Sequence, residues 1–145
     1  MDDSYVAGLV DADGSIIISK IRVTKRAFDN PSYRLTVQVT NTYRPVLEML
    51  VRRYGGHICD KQLSVGSFFT RKLHYNWSIG SNLAYKFLKV IQPHLIIKKE
   101  QANLGIDFWE SRTPYATSGG HRLSIEEISL RDKFHLGMKK LNGTV

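Results

Sequence analysis

Asp11 and Asp13 stand out in the stretch "YVAGLVDADGSI" (residues 5–16), because what precedes them reads as an apolar helix. A helix ends at the negative pole of its dipole, so carboxylates there are disfavoured unless something positive compensates them. If two such helices crossed about a two-fold axis, two Asp13 carboxylates would meet, and like charges would add to the cost. A divalent cation reverses the sign of both effects. Hard oxygen donors suit Mg²⁺ or Mn²⁺, which can activate water and stabilise the leaving oxygen in phosphodiester hydrolysis. On spacing alone, an ordinary helix-ending turn at Asp13-Gly14 remains the plain alternative.

The same helix carries Gly8 and Ala12 four residues apart, with Ala7 beside them. Small residues at that spacing let two helix backbones approach closely. The bulkier Val6, Leu9 and Val10 occupy the rest of its surface. One side is therefore expected to pack in the domain's own core, and the side with Ala7, Gly8, Asp11 and Ala12 against a partner helix.

Composition narrows the partners. The 145 residues contain 21 Lys and Arg against 13 Asp and Glu, a formal charge of +8 with a pI of about 9.7. That excess points to a polyanion, with nucleic acid ahead of a membrane surface. An apolar content of 42% fits one compact domain over residues 1–145. No run of eighteen apolar residues and no signal-peptide layout is present, so the expectation is an intracellular protein without a membrane partner. The single Cys59 allows neither an internal disulfide nor a thiolate metal cluster, and the five histidines are scattered without zinc-ligand spacing.

The elements that must position these residues follow from periodicity and punctuation. Residues 4–13 read as a helix capped by Asp3 or Ser4 and stopped by Gly14. A β-branched run over 15–26 precedes the turn signal "FDNPS" (28–32), and "RLTVQVTN" (34–41) alternates strictly. Pro45 opens a helix that Gly55-Gly56 closes. "HICDKQ" and "LHYNWSI" make a strand pair joined by a longer loop, and helices are expected over 82–91, 98–111 and 124–142. The last opens with a capping box, Ser124 and Glu127, after the flexible connector "RTPYATSGGHR". Helix, two strands, helix, two strands, then helices is an α+β order: a sheet with one apolar face backed by helices.

The other sheet face would carry the polar residues of each strand. On the second strand these are Arg34, Thr36, Gln38 and Thr40. On the later pair they are His57, Cys59 and Lys61, then Lys72, His74 and Asn76. On the first strand Lys20, Arg22, Thr24 and Arg26 share one parity, but Ser19 belongs to the other, so a bulge near 19–20 is expected to switch faces. Any one basic strand residue can simply be solvated or protect an edge. Polar alternation on several strands argues instead for a surface that reads nucleic acid.

"VAGLVDADG" (6–14) resembles the nine-residue signature of the LAGLIDADG homing endonucleases, with Val6 for the first Leu and Val10 for Ile. The resemblance extends over residues 4–110, including "VQVTN" and "FLKVIQPHLIIKKEQANL" (87–104), which looks like that family's third-helix region. It implies an αββαββα fold whose antiparallel, saddle-shaped sheet lies over the DNA major groove, and cleavage of long DNA sites with divalent metal. By the resemblance, Asp13 is the metal-binding acid and Ala12 supplies a carbonyl to the metal. Lys98 organises charge and water at the scissile phosphate, Asn41 holds water, and Arg44 supplements it. Asp11, the motif's first acid, is read as structural or outer-shell. The near echo "LGID" (104–107) lacks the Asp-Gly ending, so one motif implies a homodimer with an isologous interface. The implied function is a site-specific, intron-encoded double-strand DNA endonuclease in an organelle (chloroplast or mitochondrion) or prokaryotic cytoplasm. The competing readings are a maturase that binds intron RNA and a DNA-binding domain without cleavage.

Overall fold

The computed structural model describes residues 1–21, 31–61, 73–112 and 123–143. The chain runs α1 (Asp3–Asp13), β1 (Gly14–Ile21), β2 (Ser32–Asn41), α2 (Arg44–Tyr54), β3 (His57–Lys61), β4 (His74–Gly80), α3 (Ser81–Ile91), a 3₁₀ turn (Gln92–His94), α4 (Lys99–Ser111) and α5 (Ile125–Leu141). All pairings are antiparallel in the order β1-β2-β4-β3, which puts β2 and β4 at the centre.

Every helix lies on the face of the sheet that its alternation makes apolar. Ile16, Ile18, Leu35, Val37, Val39, Trp77 and Ile79 are buried there against Val6, Val10, Leu47, Leu50, Phe87, Leu88 and Phe108. Burying one such side chain is worth about 1.5–3 kcal/mol, so this shared layer is the main source of stability. Trp77 anchors it: its ring meets Phe87 edge-to-face at 5.2 Å, and its Nε1 donates to the Gly55 carbonyl at 2.9 Å. The tight turn beside it needs glycine. Gly56 has φ +86°, and a Cβ there would lie 2.5 Å from the Ser78 oxygen.

Three local expectations are corrected. The cap of α1 is Asp2, whose carboxylate accepts from the Tyr5 amide at 2.8 Å, not Asp3 or Ser4. Ala7 is fully buried with Val6 and Val10, while Gly8 and Ala12 are exposed. At about 100° per residue Ala7 shares the face of Val6 and Val10, so it packs in the core rather than at a surface between chains. The third correction concerns β1, which pairs with β2 from Gly14↔Val39 to Ile21↔Ser32 without an offset, so no bulge switches its faces. Lys20 therefore points into the helical layer, where its Nζ bonds Asp132 of α5 at 2.8 Å.

Helix α5 packs on α4 and on the edge strand β1. Asn142 Nδ2 donates to the Ile16 carbonyl at 2.9 Å, and His135 Nδ1 lies 2.6 Å from the Ile18 carbonyl. Edge-strand carbonyls that would otherwise invite pairing are thereby covered. At its start the Ser124 hydroxyl accepts from the Glu127 amide at 3.1 Å. Among the described residues, no helix is long and apolar enough to cross a membrane.

Candidate functional site

The C-terminus of α1 meets the N-terminus of α4. There the Asp11 carboxylate accepts hydrogen bonds from the amides of Ile96, Ile97 and Lys98 at 2.9, 3.1 and 2.9 Å. Burial would raise the carboxyl's pKa. The amides of Ile96, Lys98 and Ile97, joined by the Lys98 ammonium, outweigh it and hold the group below the usual aspartate range. An acid unfavourable to its own helix end thus satisfies three amides of the segment that leads into α4, the last of them at its N-cap. Lys98 returns the contact. Its Nζ donates to the Asp11 carbonyl at 2.7 Å, placing a cation on the last turn of α1.

Two residues beyond this clasp, Asp13 is exposed at the junction of α1 and β1. Its Oδ2 accepts from Asn41 Nδ2 at 3.0 Å, and Asn41 Oδ1 accepts from the Tyr43 amide at 2.8 Å. Asn41 is thereby held between the backbone after β2 and the carboxylate it orients. The Val10 carbonyl is taken by the Gly14 amide and that of Asp11 by Lys98. Helix geometry gives the Ala12 carbonyl no intrahelical partner, which adds a second hard oxygen beside Asp13. These donors suit a hard divalent cation in kind. In number, the described residues hold no group of three His, Cys, Asp or Glu side chains that could bind a metal.

Arg44 sits elsewhere. Its guanidinium contacts Glu48 at 3.0 Å and Asp60 at 3.4 Å, and lies over the Tyr75 ring at 5.2 Å. The structure thus gathers Asp13, Asn41, Asp11 and Lys98 around one helix end, and engages Arg44 with α2, β3 and β4.

On the sheet face turned away from the helices, the registers align side chains in rows. Ser15, Gln38, Ser78 and His57 form one row, and Thr40, Asn76 and Cys59 another. Ser19 is opposite Arg34, Thr36 is opposite Gly80, and the Lys61 backbone pairs with that of His74. Arg34 is exposed and its guanidinium rests over Gly80; a Cβ there would meet Arg34 Nε at 2.9 Å. Asn76 differs from an outward-reading residue. It is 5% exposed, and its Oδ1 accepts from Thr40 Oγ1 at 2.9 Å, so the pair is tied together. Arg22, Thr24, Arg26 and Lys72 lie outside the described residues, as do most of the turn at 28–32, the loop between β3 and β4 and nearly all of the connector before α5.

Ser15, Ile17, Ile21 and Ser78 also belong to this face, and parity along β1 and β4 signals all four. Charge alone does not, because Lys20 has the opposite parity and turns under α5.

No protein-family model and no curated protein matches the chain by sequence. Solved structures do. An archaeal intron-encoded homing endonuclease, I-Vdi141I, complexed with DNA, superposes with a TM-score of 0.71 at 19% identity, over 96% of this chain and 82% of its own. The homing endonuclease I-CvuI in complex with its target in the presence of Ca gives 0.62 at 18% identity, over 97% and 94%. The LAGLIDADG meganuclease I-AabMI bound to uncleaved DNA gives 0.68 at 16% identity, and this chain covers 97% of itself but 47% of that longer protein. With a four-stranded antiparallel sheet backed by helices and the motif on the first of them, this chain has the fold of the LAGLIDADG homing endonucleases.

Proposed function

We propose that the protein is a site-specific double-strand DNA endonuclease that works as a homodimer and needs a divalent cation, Mg²⁺ or Mn²⁺. The observation that carries this reading is the placement of Asp13. Its carboxylate is exposed and oriented by Asn41, at a helix end fixed by the Asp11–Lys98 clasp and next to a polar sheet face. A net charge of +8 supplies the attraction for a long polyanion. The solved structures that share the fold include DNA complexes, among them complexes formed in the presence of Ca and of Mg.

Asp13 and the Ala12 carbonyl would hold the cation, and a second copy of the chain would double that donor set. When bound, such a cation supplies Lewis acidity toward the phosphodiester and its attacking water. The chain's own residues do the rest. Asn41 restricts the Asp13 carboxylate to one orientation. Lys98, anchored on the Asp11 carbonyl, places a positive charge beside the developing negative charge of the phosphate. The exposed Tyr5, Gly8 and Ala12 of α1 offer the seam for the second copy. On the sheet, Arg34 and Gln38 suit guanine and adenine edges in the major groove.

The test is selection of cleaved sites from a randomised duplex library with Mg²⁺, beside the same selection on RNA. A cleaved, roughly palindromic DNA site supports the reading. Absence of any cut duplex, with binding to RNA alone, would overturn it.

A further inference from the structure

We infer that Ile17 and Ile21 of β1 read the 5-methyl groups of thymine, a recognition element that rests on the DNA-reading role proposed for the sheet. Strand β1 buries Ile16 and Ile18, at 0% and 1% exposure, under the helices. Ile17 and Ile21 point the other way, Ile17 only partly covered and Ile21 45% exposed. Their neighbours on that face, Ser15 and Ser19, are polar. Strand propensity does not require isoleucine here, since threonine or valine would serve the backbone as well. Leaving isoleucine in water forfeits the burial its side chain would gain from an apolar partner.

The rows of the sheet sharpen the pattern. The row through Ser15 is polar from edge to edge: Gln38, Ser78, then His57. The next row runs Ile17, Thr36, Gly80, so it offers an isoleucine, a threonine and a glycine over which the Arg34 guanidinium rests. An apolar contact beside a row of hydrogen-bonding groups matches how a major groove presents itself. Its base edges carry donors and acceptors, and the thymine methyl is the apolar group among them.

Spacing makes the idea specific. A strand rises about 3.3 Å per residue, so Ile17 and Ile21 lie roughly 13 Å apart along β1. Bases on one DNA strand are spaced by about 3.4 Å. A strand following the groove would therefore set the two isoleucines about four base steps apart in each half-site.

The experiment replaces thymine by deoxyuridine, one symmetric pair at a time, in a site recovered from the randomised library. Binding is measured with Ca²⁺ for the wild type, Ile17→Ser and Ile21→Ser. Serine already occupies Ser15 and Ser19 on this face, so both variants should keep the strand. The expected result is two sensitive positions per half-site, about four steps apart, each weakening wild-type binding about threefold to fourfold per methyl lost. Ile17→Ser should abolish the uracil penalty at one of them and Ile21→Ser at the other. A wild type that binds and cuts the site but is indifferent to every uracil overturns the inference and leaves the endonuclease reading standing. Unchanged uracil penalties in both variants overturn it too. A protein that binds no duplex at all removes both readings together.

Discussion

Asp11 and Lys98 bond each other reciprocally between two helix ends: the Asp11 carboxylate takes the Lys98 amide at 2.9 Å, and the Lys98 ammonium takes the Asp11 carbonyl at 2.7 Å. The clasp predicts a stability effect that depends on pH. Asp11→Asn should cost roughly 1–2 kcal/mol at neutral pH, the range for hydrogen bonds to a charged group reduced by partial exposure. The folded chain holds this carboxyl below its ordinary unfolded value. Its contribution is therefore complete above that value and is lost as pH falls through it toward the lower folded one. Urea midpoints of wild type and variant should converge as pH is lowered through the aspartate range. A gap that stays constant would show that the charge contributes nothing.

Asp13→Asn keeps size and shape but removes the charge that would hold a hard cation. In a homodimer both copies lose it together. Cleavage with Mg²⁺ should fall by orders of magnitude, while binding to the same duplex in Ca²⁺ should hold or tighten, because two negative charges facing phosphates are gone. Cutting at the unmutated rate would remove Asp13 from the chemistry.

Gly8 offers a test of association that spares the fold. A Cβ built there meets no atom within 4 Å in the protomer. Gly8→Leu should leave circular dichroism unchanged and even favour α1 by up to about 1 kcal/mol in the monomer, since glycine is a poor helix former. Light scattering should nevertheless report a monomer where the wild type is a dimer. A wild type that stays monomeric on DNA would end the homodimer proposal.

Gly80→Ala should act through Arg34. The backbone at Gly80 is extended, so alanine fits it, but its methyl would occupy the space of the guanidinium. Base preference should change at the symmetric pair of positions lost in Arg34→Ala, with a discrimination loss of about 1–3 kcal/mol. Gln38→Ala should relax a different symmetric pair. A cleaved-site profile untouched by all three changes would move recognition off this part of the sheet.

Lys20→Met should destabilise the protein without altering which sites are cut. Its ammonium pairs with Asp132, which also accepts from the Tyr33 hydroxyl at 3.0 Å. Removing a partly exposed pair costs about 1 kcal/mol or less, plus any loosening of α5. Thermal melts should drop slightly while the selected DNA sites stay the same. A changed site profile would place Lys20 on the DNA after all.

What the sequence determined by itself was whatever depends on neighbours along the chain. Strict alternation in residues 34–41 separates core from reading face, Gly55-Gly56 ends α2, and the nine residues from Val6 to Gly14 carry the family likeness. The tertiary structure decided what depends on partners distant in sequence. Lys20 looks like its basic neighbours in the chain, yet an uninterrupted register with β2 turns it under α5 to Asp132, 112 residues away. Ala7 looks like a companion of Gly8, yet helical rotation sends it to the core. Asp11 and Asp13 divide in the same way. Spacing could show that two acids crowd the negative end of a helix. Only the docking of α1 beside the segment that leads into α4 could show that Asp11 is answered by three amides 85 to 87 residues away, while Asp13 is left exposed with Asn41 beside it.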